Sequence, residues 1–328
     1  MSNKTSLKWR RKLLIFSAIL ALLILCSHIA SWIYRQRDYT LHFSRQKGVL
    51  TSVKETPLSS RSGTSLSDIE LVNDRRITVR GYIQVPTEGS GPYPVLVLLG
   101  GVRTGKHVID YVGGMNQVIL LGLDYPYEGK NSKMSTAEFL KNMPGMRRAV
   151  MNTVPAVLLA MDYLFDRDDV DTDRITLIGG SIGALFVPAA VASDMRITAA
   201  AILFGAGDVQ SLIAANVDMP APIPSLAAWL GGLLVSPLEP LKYINRISPR
   251  PLFMLNGTDD PRMPERCSRL LHDKAMNPKT IEWIPSGHIH IRSNEFQAQV
   301  RVILEKWLIK NRRIAPDTAD VAPDPADG

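Results

Sequence analysis

Two cysteines in 328 residues, Cys26 and Cys267, leave little room for cysteine chemistry. No cysteine pair stands at metal-ligand spacing. With Cys26 inside a long apolar run, no disulfide is expected within the folded part. Six histidines are present, but none forms an H-E-x-x-H pair, and no dense carboxylate cluster appears, so no metal is expected. The glycine loop at Gly100-Gly101-Val102-Arg103-Thr104-Gly105 lacks the ending of a phosphate cradle, because Gly105-Lys106 is followed by His107. No cofactor is expected, and no internal repeat is found.

Acidic residues are nearly missing from one end. Residues 1–47 hold nine Lys/Arg and one Asp, which leaves 29 basic against 30 acidic residues in the remainder. The formal charge of +7 is therefore a property of the N-terminus. A nearly neutral remainder argues against nucleic acid as a partner.

Between Leu13 and Tyr34 there is no Asp, Glu, Lys or Arg. As a helix this run would reach about 33 Å, enough to cross a bilayer core. Lys4, Lys8, Arg10, Arg11 and Lys12 precede it, and Trp9, Trp32 and Tyr34 suit the two interfaces. A cleaved signal peptide is the competing reading. The run is long for one, Ala30 has His28 at the −3 position, and Leu25 before Cys26 spoils a lipobox. The expectation is an uncleaved single-pass anchor in the cytoplasmic membrane, with the rest of the chain on the outer side. Arg35, Arg37, Arg45 and Lys47 follow the span, so the charge bias that sets orientation is slight.

The chain divides into a basic segment at 1–12, an anchor at 13–34, a polar stalk at 35–65, a globular domain at 66–311 and an acidic, proline-containing disordered tail at 312–328. Within the domain, Asp68–Asn73 and Arg76–Val85 read as antiparallel strands with Asn73-Asp74 at the turn. Continuous apolar runs at Val95–Leu99 and Val118–Leu123 read as strands of the type buried on both faces, and Arg174–Ile178, Ile197–Phe204, Pro251–Asn256 and Thr280–Ile284 read as further strands. A short helix-sized segment lies around Lys106–Val112, and helical spacing appears over Met146–Phe165, with Pro155 as a kink or a break, and over Phe296–Ile309. Strands alternating with helices predict an α/β fold with a doubly wound, mostly parallel sheet. Residues 207–249 are irregular and apolar, and form a candidate cap.

Three of the strands end in residues that carry chemistry. The run Ile175–Ile178 passes into Gly179-Gly180-Ser181-Ile182-Gly183, a G-x-S-x-G in which the serine can sit on a tight strand-to-helix turn. A serine hydroxyl needs a base to remove its proton as it attacks. His288 follows the Thr280–Ile284 strand on the loop Pro285-Ser286-Gly287, with His290 as the neighbouring alternate. An acid must orient that imidazole. The turn Gly257-Thr258-Asp259-Asp260-Pro261 offers Asp259 and Asp260, either of which could equally cap the helix that follows. Asp124 and Asp208 also end strands. Asp124 reads as a structural loop acid and Asp208 as a reserve acid position.

Ser181, then the acid, then His288, each after an apolar strand, is the order of the α/β-hydrolases. Over residues 66–310 or so the chain resembles that superfamily, and looks most like small bacterial esterases of the dienelactone hydrolase and acetyl xylan esterase type. The resemblance favours Asp260, because the acid usually stands four residues before the proline that closes this loop, here Pro264. The Gly287-His288 pair matches the family pattern and favours His288. The resemblance also implies an oxyanion hole made by the backbone N–H of Ile182 and an amide at Val102. Gly100 stands where the family often has histidine, a departure that touches this second donor. The implied activity is that of a serine carboxylesterase on short to medium acyl esters, with a small-molecule ester as substrate and the membrane as partner through the N-terminal helix. A peptidase or thioesterase with the same triad and an inactive hydrolase-fold binding protein are the alternatives. The 65 residues before the domain are too few for the propeller of a prolyl-oligopeptidase.

Overall fold

The computed structural model describes residues 2–61, 63–101, 103–112, 115, 117–127, 136–217, 223–289 and 293–316. The chain divides into two units at residue 38. The first is a single helix, α1 (Ser2–Gln36). Within Trp9–Gln36 an 18-residue stretch has a mean hydropathy of 2.6, and the helix is long and apolar enough to cross a membrane, by length and composition. Within it Leu14, Phe16, Leu22, Leu23 and Trp32 stand exposed, as they would if lipid were their partner.

The second unit holds a nine-stranded sheet among the described residues. In chain order the strands are β1 (Leu50–Arg61), β2 (Thr64–Asn73), β3 (Thr78–Pro86), β4 (Tyr93–Leu99), β5 (Ile119–Leu123), β6 (Val170–Gly180), β7 (Ala199–Leu203), β8 (Leu252–Gly257) and β9 (Lys279–Ile284). They lie side by side as β1-β2-β3-β5-β4-β6-β7-β8-β9. Strands β5, β4, β6, β7, β8 and β9 run parallel, and β1 to β3 add an antiparallel edge. The expected doubly wound, mostly parallel sheet is therefore present. The central strands are buried along their length, as continuous Val/Leu/Ile/Ala runs require when both faces are covered.

One face is covered by α8 (Asn294–Lys310) and the short turn helix Gly105–Tyr111. Val300, Leu304, Trp307 and Leu308 pack there with Leu96, Leu98, Leu120, Phe253 and Leu255. The Trp307 ring stacks on Phe253 at 5.4 Å. The other face receives α2 (Thr40–Lys47), α3 (Thr136–Phe165) and α4 (Val187–Ser193). Pro155 and Pro144 both lie inside α3, which runs on as one helix rather than breaking in two. The buried Val154, Val157, Leu158 and Met161 hold it against the sheet and offset the hydrogen bonds that proline removes.

Two expected boundaries are corrected. The segment 35–65 is not a stalk: Tyr39 onward belongs to the domain, and α2 and β1 occupy most of the segment. Tyr39 and Phe43 are buried, and Lys47 pairs with Asp162 at 2.6 Å. Strand β1 pairs with β2 from Leu50↔Asn73 to Arg61↔Thr64. Exposed along most of its length as an edge strand, it is mostly polar and carries its apolar Val53 and Leu58 at the surface, which hid it from periodicity. It is anchored by Glu55, which accepts from Tyr163 at 2.8 Å and Arg167 at 3.1 Å. The disordered tail does not begin at 312 either. Ile314 is buried in the α8 core, and Arg313 donates to the Asp173 carbonyl at 3.2 Å. Residues 317–328 lie outside the described residues.

The candidate cap contains two helices, α5 (Val209–Asn216) and α6 (Ile223–Val235), packed together and followed by short turns to Arg246. Leu212 of α5 sits in a small cluster with Ala206 and Cys267, against which Leu185 and Met263 pack.

Candidate active site

Strand β6 ends at Gly180, and Ser181 takes φ +55°, a left-handed value that non-glycine residues rarely adopt. The chain then tightens through Ser181–Leu185 into α4. This sharp turn depends on its glycines. A Cβ on Gly179 would come within 2.5 Å of the Gly183 carbonyl oxygen, and one on Gly183 within 2.1 Å of the Leu99 oxygen. The second clash shows that the turn rests directly on the end of β4.

The Ser181 hydroxyl Oγ is 2.7 Å from Nε2 of His288, and His288 Nδ1 is 2.7 Å from Oδ2 of Asp260. A carboxylate can only accept, so Nδ1–H donates to Asp260 and Nε2 is left to accept the serine proton. The Asp260 side chain is 1% exposed. Burial by itself pushes its carboxyl up. The hydrogen bond from His288, the backbone N–H groups of Arg262 and Met263, and the field of the imidazole together outweigh that and hold it below its usual range. Those N–H groups reach Oδ1 at 2.8 and 3.1 Å. Asp260 is thus an ionised acceptor with both oxygens engaged.

Asp259 is exposed and accepts from the Thr258 hydroxyl at 2.8 Å, away from the imidazole. Its backbone N–H donates to the Ser286 carbonyl at 3.0 Å, and the Thr258 N–H donates to Ile284 at 2.9 Å. These bonds join the acid turn to the histidine loop. Gly257 permits the approach, since a Cβ there would lie 2.4 Å from the Ser286 oxygen. His290 and Val102 lie outside the described residues.

Asp124 and Asp208 have other tasks. Asp124 accepts the Lys106 N–H at 2.8 Å, fastening the turn helix after the glycine loop. Asp208 caps α5 through Ser211, and its own N–H donates to Glu239 at 2.9 Å. At Gly100 a Cβ would come within 3.0 Å of the Thr104 hydroxyl and Val108, so this loop fills the space with other side chains where a larger residue would begin.

Sequence reasoning passed over Phe204. It is fully buried at φ +53° and presents its ring edge-on to His288, with centroids 6.1 Å apart. Phe296 lies 5.7 Å beyond it. The signal available was Gly205-Ala206-Gly207, a run of small residues directly after a buried strand. Ile289 was also passed over. Its Cδ1 stands 3.8 Å from where a Cβ on Gly180 would be, which places it over the serine turn. Chemically, the arrangement offers a hydroxyl in contact with an imidazole nitrogen, and a buried carboxylate behind that ring.

No family model matches the chain. Among curated proteins it is 30% identical over 159 residues to the uncharacterized protein YfhR of Salmonella typhimurium, covering 45% of this chain and 52% of that one. It is 28% identical over 128 residues to YfhR of Escherichia coli O157:H7, covering 39% and 42%. The chain thus spans about half the length of the curated relatives it matches. Among solved structures, the acetyl xylan esterase from Paenibacillus sp. R4 superposes with a TM-score of 0.61 at 17% identity, over 82% of this chain and 94% of that one. A cold-adapted esterase from an Arctic intertidal metagenomic library gives 0.52 at 18%, over 79% and 100%. The alpha/beta hydrolase GrgF from Penicillium sp. sh18 gives 0.51 at 17%, over 75% and 98%. At these identities the likeness is one of fold.

Proposed function

From an α/β-hydrolase fold that carries Ser181, His288 and Asp260 in hydrogen-bonded series, we propose that this chain is a membrane-anchored serine hydrolase, a carboxylesterase acting on short to medium acyl esters. One observation carries the reading. The Ser181–His288 and His288–Asp260 contacts, each 2.7 Å, join turns that follow three parallel strands at their carboxyl ends. Ligand chemistry in such sheets gathers at that end.

In this reading His288 takes the Ser181 proton through Nε2 as Oγ attacks the ester carbonyl. The imidazolium so formed is stabilised by Asp260, which stays ionised. The tetrahedral oxyanion is received by the N–H of Ile182 at the start of the turn helix, with an amide at Val102 as the second donor. Collapse expels the alcohol, which takes the proton from His288, and leaves an acyl-Ser181. Water, activated by the same imidazole, then releases the acid. Leu13–Tyr34 within α1 holds the protein to the cytoplasmic membrane, with the hydrolase on the outer side.

Treatment of the purified protein with a fluorophosphonate, followed by a panel of esters of graded chain length, tests the chemistry. The wild type should label and hydrolyse short and medium chains. Ser181→Ala should not label and should lose several decades of rate while keeping its melting temperature. Labelling that persists in Ser181→Ala would overturn the assignment. Resistance to carbonate extraction and an active C-terminal alkaline phosphatase fusion are expected for the anchor and its orientation.

A further inference from the structure

Phe204, the first residue after β7, is held in a conformation that few phenylalanines adopt. Its φ of +53° is left-handed, an outlier for a bulky side chain that persists only where the surroundings impose it. Glycine takes that value without strain, so the strain here comes with the ring. Contacts on three sides impose it. The Phe204 N–H donates to the Leu255 carbonyl at 2.7 Å. The carbonyl of Gly205, the next residue, accepts from the Asn256 side-chain amide at 2.9 Å and from the Ser268 hydroxyl at 3.3 Å. A Cβ on Gly205 would stand 2.8 Å from that of Ala184, so the same turn is seated on the short helix begun by Ser181.

The clasp on Gly205 is closed. Asn256 Nδ2 also donates to the Ser268 hydroxyl at 3.1 Å, and Asn256 Oδ1 accepts from Nε2–H of His272 at 2.9 Å. Asn256, Ser268 and His272 are all buried. An amide with both of its polar atoms engaged in this way has one orientation. Asn256 stands on β8 directly before Gly257, so the clasp ties the Phe204 turn to the strand that leads into the acid.

What the turn presents is the ring. It meets the His288 imidazole at 79°, with centroids 6.1 Å apart, and Phe296 backs it at 5.7 Å. Asp260 grips His288 only at Nδ1. The χ2 torsion of a histidine is broad, so one such bond leaves the imidazole plane free to rock and Nε2 free to leave the Ser181 hydroxyl. A fixed aromatic wall removes that freedom.

Resting on the serine-hydrolase reading, we propose that Phe204 is a positioning residue for His288, its strained turn locked by Asn256 and Ser268 so that the ring keeps Nε2 on the serine hydroxyl. It gives and takes no proton. It acts through the direction of the imidazole.

Phe204→Leu keeps an apolar side chain in the core and removes the ring. In the full-length protein in detergent, kcat for p-nitrophenyl acetate per fluorophosphonate-titrated site should fall by roughly 10- to 100-fold, the scale of a small misplacement of a catalytic group. KM should change little. In proton NMR the far-downfield resonance of the His288 Nδ1–H, identified by its loss in His288→Ala, should be sharp in the wild type and broadened in the variant. Combined with His288→Ala, the substitution should add nothing to the loss, because the group it acts through is gone. An unchanged kcat per site would overturn the proposal, as would a further loss of the same size in the His288→Ala background. Should Phe204→Leu fail to fold, Ser268→Ala loosens the clasp while nearly keeping the core volume. A lower kcat with a broadened resonance then supports the role, and wild-type values of both overturn it. The two levels fail separately. If Ser181→Ala or His288→Ala keeps wild-type activity, the serine-hydrolase reading falls. If both are inactive and Phe204→Leu is as fast as the wild type, the positioning role falls alone.

Discussion

The turns that carry Ser181, Asp260 and His288 and the segment from Tyr39 to Arg61 are held in place by opposite means. The turns meet through backbone: Gly183 against Leu99, Gly257 against Ser286, and a chain of hydrogen bonds through partners that engage both oxygens of Asp260. The N-terminal segment is held by side chains. Phe43 is fully buried beside α3 and α4, Tyr39 donates its N–H to the Tyr243 hydroxyl at 3.2 Å, and the polar β1 is fastened by ladder bonds and Glu55. Backbone contacts set positions to a few tenths of an ångström. Side-chain burial supplies free energy but tolerates small shifts. Substitutions in the first region should therefore alter rate at constant stability, and those in the second should alter stability at constant rate.

The largest separation is expected at the acid turn. Asp260→Asn should reduce kcat by about 10⁴-fold, since the imidazole loses the partner that fixes its tautomer. Its denaturation midpoint should stay close to the wild type. Asp259→Asn should leave both nearly unchanged, because that carboxylate is exposed and bonds only its neighbour Thr258. A loss at Asp259 equal to that at Asp260 would mean that the turn acts as a unit and would blur the contrast.

Phe43→Ala is the reciprocal case. Removing a fully buried phenylalanine costs about 3 to 5 kcal/mol, read from urea or thermal unfolding. The kcat per fluorophosphonate-titrated site should remain within about two-fold of the wild type. A fall in per-site kcat at normal stability would show that the N-terminal segment reaches the catalytic turns after all.

A smaller effect lies between the two regions. His272 is buried behind the acid turn, with Nε2 2.9 Å from the Asn256 amide oxygen and its ring 5.3 Å from Trp283. Burial, opposed by Asp273 and reinforced by Lys279 and Arg269, pushes its pKa down to about 4 from 6.5. The folded state thus favours the neutral ring. Stability from this residue is complete above pH 6.5 and declines as the pH falls toward 4, by about 3 kcal/mol in all. Asp260 has the carboxylate pattern, with a folded pKa below 3.8, so its share is lost only in stronger acid. Thermal melts across pH 4 to 7 should slope for the wild type and flatten for His272→Gln. Equal slopes would assign the acid sensitivity to other groups.

Much of the fold could be read because β4, β5, β7, the Ile175–Ile178 end of β6 and Leu252–Leu255 of β8 are largely apolar and buried, and a strand buried on both faces writes its identity into every residue. The serine turn could be read because its glycines meet local clashes. The segment 39–61 could not. An edge strand exposed on both sides needs no alternation, and the partners of Tyr39, Lys47 and Glu55 lie more than a hundred residues away. The choice between Asp259 and Asp260 required the resemblance as well, because adjacent residues share composition and differ only in direction. In the folded turn the N–H groups of Arg262 and Met263 turn Asp260 toward the imidazole. Phe204 was illegible for the same reason as Tyr39: it is defined by neighbours on other elements.

The close approaches at Gly183 and Gly257 bear on how related sequences should be sorted. A homologue can retain serine, aspartate and histidine letter for letter and still carry alanine at either glycine. The added methyl would stand 2.1 Å from one backbone oxygen or 2.4 Å from another, in the space now filled by a hydrogen. Such a chain would have to spread the turns to accommodate it, and its three polar residues would be heirlooms of the motif rather than a working set. Divergence at these two positions is therefore a marker for descent without retained chemistry, visible before any assay is run.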